Sequence, residues 1–124
     1  MLAKDIMTKN VICVKSNTTF KEAIELCVYK EISGLVVVDE NNDIVGIVSE
    51  KDMLIAYDFL REIKNSIQDF VSRDIISVQE DTPIPEINKI LLQRNIKRVP
   101  VLNGKKVVGI ISRRDILRSI LQKG

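Results

Sequence analysis

The apolar positions along the chain fall into two kinds of pattern, and both recur about 64 residues later. Phe20, Ala23, Ile24, Cys27 and Val28 follow i, i+3, i+4, i+7, i+8, and Ile84, Ile87 and Leu91 keep the same helical spacing. Each set predicts a helix with one apolar stripe turned to a core. Short β-rich runs come before them, over 11–14 and 75–78. Thr18 and Thr82 stand where an N-cap oxygen belongs, and Pro83 suits the first helical position. After each helix come two unbroken apolar runs. The first pair, 35–38 and 44–48, flanks the polar turn 40–43; the second, 99–102 and 107–111, flanks Asn103-Gly104, a strong tight-turn signal. Strands apolar on both faces predict sheets covered by helices. Closing helices are expected from Lys51 and from Arg113.

The order β-α-β-β-α therefore occurs twice. A shift of 64 lays Asp5 on Asp69, Ile12 on Ile76, Thr18 on Thr82, Ile32 on Ile96 and Val37 on Val101. One residue is lost in the turn, and a shift of 63 then lays Gly46 on Gly109, Ser49 on Ser112 and Asp52 on Asp115. The prediction is an α/β (α+β) fold of two pseudo-symmetric repeats, 1–64 and 65–124. The segments 53–60 and 116–121 are apolar nearly all round. A helix on the outside of a small protein keeps one wet face, so either the other repeat or a second chain must cover them; a homodimer is expected.

Composition narrows the chemistry. In 124 residues, 45% are hydrophobic and 29% charged, a soluble globular profile. No apolar run reaches the ~20 residues that span a bilayer, and the first ten residues lack a signal-peptide core. The expectation is a cytoplasmic protein and a complete chain, with no membrane partner. Histidine is absent, which removes the commonest general base and metal ligand. Cys13 and Cys27 form no C-x-x-C pair and read as reduced core residues. Neither a catalytic constellation nor a metal site is expected, so the chain reads as a non-enzyme. Residues 1–64 carry 8 Lys/Arg and 11 Asp/Glu, net −3; residues 65–124 carry 11 and 6, net +5. A basic half in a protein of net charge +2 suggests a locally held anion. With few aromatics, nucleic acid is a poor candidate partner.

The best-preserved phrase of the repeat is "GIVSEKD" at 46–52 and "GIISRRD" at 109–115. It runs from a strand into a helix. Ser-x-x-Asp in that place can be a capping box. The same geometry can bind a ligand: a helix N-terminus offers free N–H groups to a phosphate, and a carboxylate can accept both hydroxyls of a ribose.

With "DIMTKNVICV", "DFVSRDIISV", "ISGLVVVDENNDIVGIVSEKDML" and "IKRVPVLNGKKVVGIISRRDIL", the chain resembles a tandem pair of cystathionine-β-synthase (CBS) domains, a Bateman module. The resemblance covers essentially the whole chain. It implies two repeats packed sheet to sheet, with two clefts that often bind adenine nucleotides. Carried over by position, Asp115 would hold a ribose and Ser112 a phosphate, with Ile12, Ile32, Ser33, Gly34 and Ile110 about the adenine. In the second cleft Asp52 and Ser49 take those roles, with Ile76, Ile96 and Ile47 at the base and Lys97 and Arg98 at the phosphates. Ser33-Gly34 replaces the basic pair in the first repeat, so the Asp52 cleft is expected to grip phosphate better; Arg113 and Arg114 are expected to point outward. The implied function is a regulatory sensor of AMP, ADP or ATP with no cofactor, acting on a partner protein in trans. The alternatives are a ligand-free dimerisation or docking module, or a sensor of S-adenosylmethionine, NAD or a cyclic dinucleotide.

Overall fold

The computed structural model describes residues 1–57 and 65–123. Its elements, in chain order, are α1 (Ala3–Ile6), β1 (Cys13–Val14), α2 (Phe20–Tyr29), β2 (Gly34–Val38), β3 (Ile44–Ser49), α3 (Glu50–Ala56), a 3₁₀ turn (Gln68–Phe70), β4 (Val78–Gln79), α4 (Ile84–Gln93), β5 (Arg98–Asn103), β6 (Lys106–Ser112) and α5 (Arg113–Lys123). Two three-stranded sheets form, β1-β2-β3 and β4-β5-β6. In each, the first pair is parallel and the second antiparallel. The registers are copies of each other: Val14 lies beside Val37 and Val78 beside Val101, while Val37 faces Gly46 and Val101 faces Gly109. Both hairpins are irregular after that valine. The mixed α+β class and the repeated element order agree with the sequence pattern.

The compact units differ from the sequence repeats. One consists of Met1–Val11 with Ile76–Gly124, the other of Ile12–Ile75. The leading segment of each repeat thus belongs to the body of the other. In the first unit Ala3 N donates to the Thr82 carbonyl, Ile84 N to the Met1 carbonyl, and Thr8 and Ile110 exchange a pair of backbone bonds. In the second, Ile67 N donates to Thr18, Phe20 N to Asn65, and Ser72 and Ile47 exchange a pair. Each core is completed the same way. Ala3 is fully buried with Ile87, Leu91, Val99, Val101 and Ile111; Ile67 is fully buried with Phe20, Ala23, Leu35, Val37 and Val48.

Several local expectations shift. Thr19, not Thr18, caps α2, its hydroxyl accepting from Glu22 N at 3.1 Å. Thr18 is buried, with its carbonyl engaged by Ile67. Pro83 occupies the N-cap position of α4, and the Thr82 hydroxyl turns back to accept from Gln79 N at 3.0 Å. The α2 stripe is narrower than its spacing suggests: Phe20, Ala23 and Cys27 are buried, Ile24 is 38% exposed and Val28 62%. Cys13 and Cys27 are unpaired, and burial raises both thiol pKa values, with the Glu50 charge adding to the effect at Cys27. Of the segment 53–60, Met53 and Ala56 are buried while Leu54, Ile55 and Tyr57 are exposed; its last three residues lie outside the described residues. No helix among the described residues is long and apolar enough to cross a membrane.

The two glycines of the repeated phrase have a steric origin. A Cβ on Gly46 would strike the Ser72 carbonyl oxygen and come within 2.5 Å of Val71 Cγ1. A Cβ on Gly109 would meet only the Met7 side chain, at 2.5 Å from its sulfur. Backbone cannot yield as an unbranched thioether can. We expect Gly46→Ala to cost the upper part of the ~1–3 kcal/mol typical of overpacking, and Gly109→Ala the lower part. Thermal denaturation of the two variants checks this; equal shifts would contradict it.

Candidate functional site

Each closing helix starts on its own Ser-x-x-Asp. The Ser49 hydroxyl accepts from Asp52 N at 3.1 Å, while Asp52 Oδ2 accepts from Ser49 N at 2.8 Å and from the Ser49 hydroxyl at 2.9 Å. In the second repeat the Ser112 hydroxyl accepts from Asp115 N at 3.1 Å and Asp115 Oδ2 accepts from Ser112 N at 2.9 Å. Both phrases are therefore capping boxes. Each box consumes one carboxylate oxygen and leaves the other for further partners. Asp115 is buried, 7% exposed, and its Oδ1 takes a hydrogen bond from Arg118 Nη1 at 3.1 Å.

The residues that precede each hairpin lie across from the same junction. Arg98 faces Ser112 in the β5–β6 register, and Arg113 N donates to the Lys97 carbonyl at 2.9 Å. In the other unit Gly34 faces Ser49, and Glu50 N donates to the Ser33 carbonyl at 3.0 Å. Strand pairing alone thus brings the basic pair to Ser112 and the Ser33-Gly34 pair to Ser49.

In the unit of Met1–Val11 and Ile76–Gly124, a cavity of about 880 Å³ opens at this junction. Ser112, Asp115, Lys97, Arg98, Ile110 and Thr8 line it, together with Arg113, Arg114 and Arg118. Five cationic side chains surround one carboxylate, a field that draws in anions. The resemblance sets Lys97 and Arg98 with Asp52; in the structure they line the cavity that holds Asp115. Arg113 and Arg114 also reach it, where the sequence predicts outward-pointing side chains. Arg113 is anchored, its Nε donating to the Ile96 carbonyl at 3.0 Å and Nη2 to Asn95 Oδ1 at 3.3 Å. Arg98 Nε is buried without a hydrogen-bond partner among the described residues. Ile76 and Ile96 pack partly buried against the same unit's core. Ile12, Ile32, Ser33, Gly34, Ile47, Ser49 and Asp52 all belong to the other unit. Among the described residues no group of His, Cys, Asp and Glu is placed to hold a metal.

Two lining residues escape sequence reasoning. Thr8 arrives from the leading segment of the other repeat, through its pairing with Ile110. Its alignment with Ser72 was the available signal. Arg118 is three residues beyond Asp115, one turn along the helix, a spacing that joins side chains.

A duplicated β-α-β-β-α protein with two three-stranded sheets is thus the class in hand. The CBS domain matches residues 3–58 and again 67–122; the chain belongs to that family and carries the domain in tandem. An uncharacterised 17.7 kDa protein of Acidianus ambivalens is 32% identical over 117 residues, 94% of this chain and 71% of that protein. The L-aspartate semialdehyde sulfurtransferase of Methanocaldococcus jannaschii is 34% identical over 118 residues, 94% of this chain but 23% of the enzyme. The chain likewise spans 22% of the inosine-5′-monophosphate dehydrogenase of Nitrosopumilus maritimus, at 30% identity over 112 residues and 90% of this chain. Among solved structures, the CBS domain pair of MJ0100 in complex with 5′-methylthioadenosine and S-adenosyl-L-methionine superposes with a TM-score of 0.84 and 32% identity, over 100% of this chain and 98% of that one. CBSX2 in complex with AMP gives 0.89 and 29%, over 98% and 97%.

A buried donor without a partner costs stability in the empty protein. Replacing Arg98 by methionine, of similar length, removes that donor and keeps the packing of the stem. Arg98→Met is expected to raise stability by about 1 kcal/mol, read as a higher denaturation midpoint without change in slope. A loss of stability would mean that Arg98 is held by contacts that compensate its burial.

Proposed function

We propose that the chain is a regulatory module that binds an adenosine phosphate, AMP, ADP or ATP, and is not itself an enzyme. The observation that carries this reading is the cavity that joins Asp115 and Ser112 to five cations. A ribose diol needs an acceptor, which Asp115 supplies; a phosphate needs charge-assisted donors, which Lys97 and Arg98 supply. Ile110, with Ile76 and Ile96 of the same unit, is the proposed apolar surroundings of the base. We propose the corresponding set Ser49, Asp52, Ile47, Ile12, Ile32, Ser33 and Gly34 as a second, less basic ligand surface. AMP in CBSX2 and the adenosine ligands of the MJ0100 pair support the ligand class. S-adenosylmethionine, the second candidate on the MJ0100 precedent, carries a sulfonium and an ammonium group. Five cations in the cavity oppose it and favour phosphate.

The bound state would act on a partner protein in trans, in the cytoplasm; two unpaired cysteines suit a reducing compartment. The module would work as a homodimer, with Leu54, Ile55, Tyr57, Leu117, Ile120 and Leu121, all exposed on the single chain, as the apolar surface to be covered. Sedimentation at tens of micromolar is expected to give twice the 14.1 kDa mass of the chain; a purely monomeric boundary removes this part of the reading.

Calorimetric titration tests the ligand. AMP or ATP is expected to bind, more weakly as salt rises. Arg98→Ala is expected to weaken AMP by ~1.5–3 kcal/mol, the range for hydrogen bonds to charged groups, and adenosine much less. Equal losses for both ligands would show that Arg98 holds no phosphate. Heat from neither nucleotide leaves the docking-module alternative.

A further inference from the structure

Both oxygens of the Asp115 carboxylate already accept a hydrogen bond before any ligand arrives. Oδ2 is fixed by the Ser112 amide at 2.9 Å, as the cap of α5. Oδ1, the oxygen left for a ligand hydroxyl, is held by Arg118 at 3.1 Å. The two partners differ in mobility. The Asp115 side chain is 8% exposed, that of Arg118 57%; the carboxylate is built in, and the guanidinium is the part that can leave. Arg118 lines the same cavity as Lys97, Arg98, Arg113 and Arg114. Among the described residues it is the one of the five that forms an ion pair with Asp115.

We propose that Arg118 is a specificity-determining gate on the Asp115 site, one that admits phosphorylated nucleosides and discriminates against neutral ones. This rests on the nucleotide reading above and deepens it. A diol approaching Asp115 competes with Arg118 for the space and the lone pairs at Oδ1, and a diol seated there pushes the guanidinium aside. The displaced guanidinium then stands beside four other cations, with its charge uncompensated. A neutral nucleoside brings nothing to offset that repulsion. A phosphate brings two negative charges and acceptor oxygens in the same cavity, and the freed fork becomes one of its donors. The ion pair thereby couples occupation of the ribose acceptor to the presence of a phosphate. The gate is confined to one repeat. The position equivalent to Arg118 on α3 is Ile55, which has no charge to offer Asp52.

The test is calorimetric titration of the full chain with adenosine and with AMP, in an Asp52→Ala background that leaves a single candidate carboxylate. Arg118→Ala is compared with the parent. Arg118 is exposed enough that its replacement spares the core, and Arg118→Lys, which keeps the charge, serves as a second variant if the alanine protein melts early. Expected for Arg118→Ala is tighter adenosine by at least threefold and weaker AMP by at least threefold, so that the AMP-to-adenosine preference falls about tenfold. Arg118→Lys is expected to retain more than half of that preference on a logarithmic scale. Adenosine unchanged or weakened by Arg118→Ala overturns the gate, as does movement of both ligands in the same direction, while AMP binding by the parent leaves the nucleotide reading standing. Absence of binding by either ligand to parent and variant alike overturns the nucleotide reading, and the gate with it.

Discussion

Each hairpin's outer strand is paired along its far edge with chain from the other repeat, and this pairing passes across a glycine. Ser72 bonds to Ile47 and Thr8 to Ile110 through both backbone groups. The exchange satisfies an edge that would otherwise present unpaired donors and acceptors. It seats Ile67 and Ala3, both fully buried, each in the core of the other repeat. It also fixes Thr8 and Ile110 at the rim of the cavity beside Ser112. Core closure and site geometry therefore hang on one backbone contact made twice.

The strand-to-helix junction is the second fixed point. A single phrase starts each closing helix there, and the proposed ligand site would draw on the same parts as the capping box. The serine and aspartate of the box are not spare side chains recruited for binding; they already terminate the helix. One carboxylate oxygen of each box accepts from the backbone amide of its own serine. In the second repeat the other oxygen accepts from Arg118, and in the first no charged residue stands at the matching place, Ile55.

Much of this was legible in the sequence. The order of elements, the two sheets, the Asn103-Gly104 turn and the boxes at Ser49 and Ser112 follow from apolar spacing and turn chemistry. What periodicity cannot express is which copy of a repeated segment packs on which body. An offset of 64 pairs Thr8 with Ser72 but is silent on whether either stays at home, since the bonds that decide it are backbone bonds. The resemblance sets Lys97 and Arg98 with Asp52, while strand pairing sets Arg98 beside Ser112. Their register with Ser112 is a strand-pairing fact, invisible to positional carry-over. Caps slipped by one residue at Thr18 and Thr82 because those residues serve the exchanged segments and a tight turn instead. Ile24 and Val28 have the spacing of a core stripe, yet α2 buries only the narrower line of Phe20, Ala23 and Cys27.

The exchange of leading segments has a consequence for the ancestry and handling of such chains. A polypeptide holding one repeat lacks the piece that closes its core, since its own leading segment belongs on another body. Two such polypeptides could complete each other by trading, as in domain swapping, but only above a threshold concentration. Joining the copies in one chain replaces that second-order encounter by an intramolecular one, at a local concentration set by the connector. With both copies in one chain, each core finds its closing segment within the same molecule.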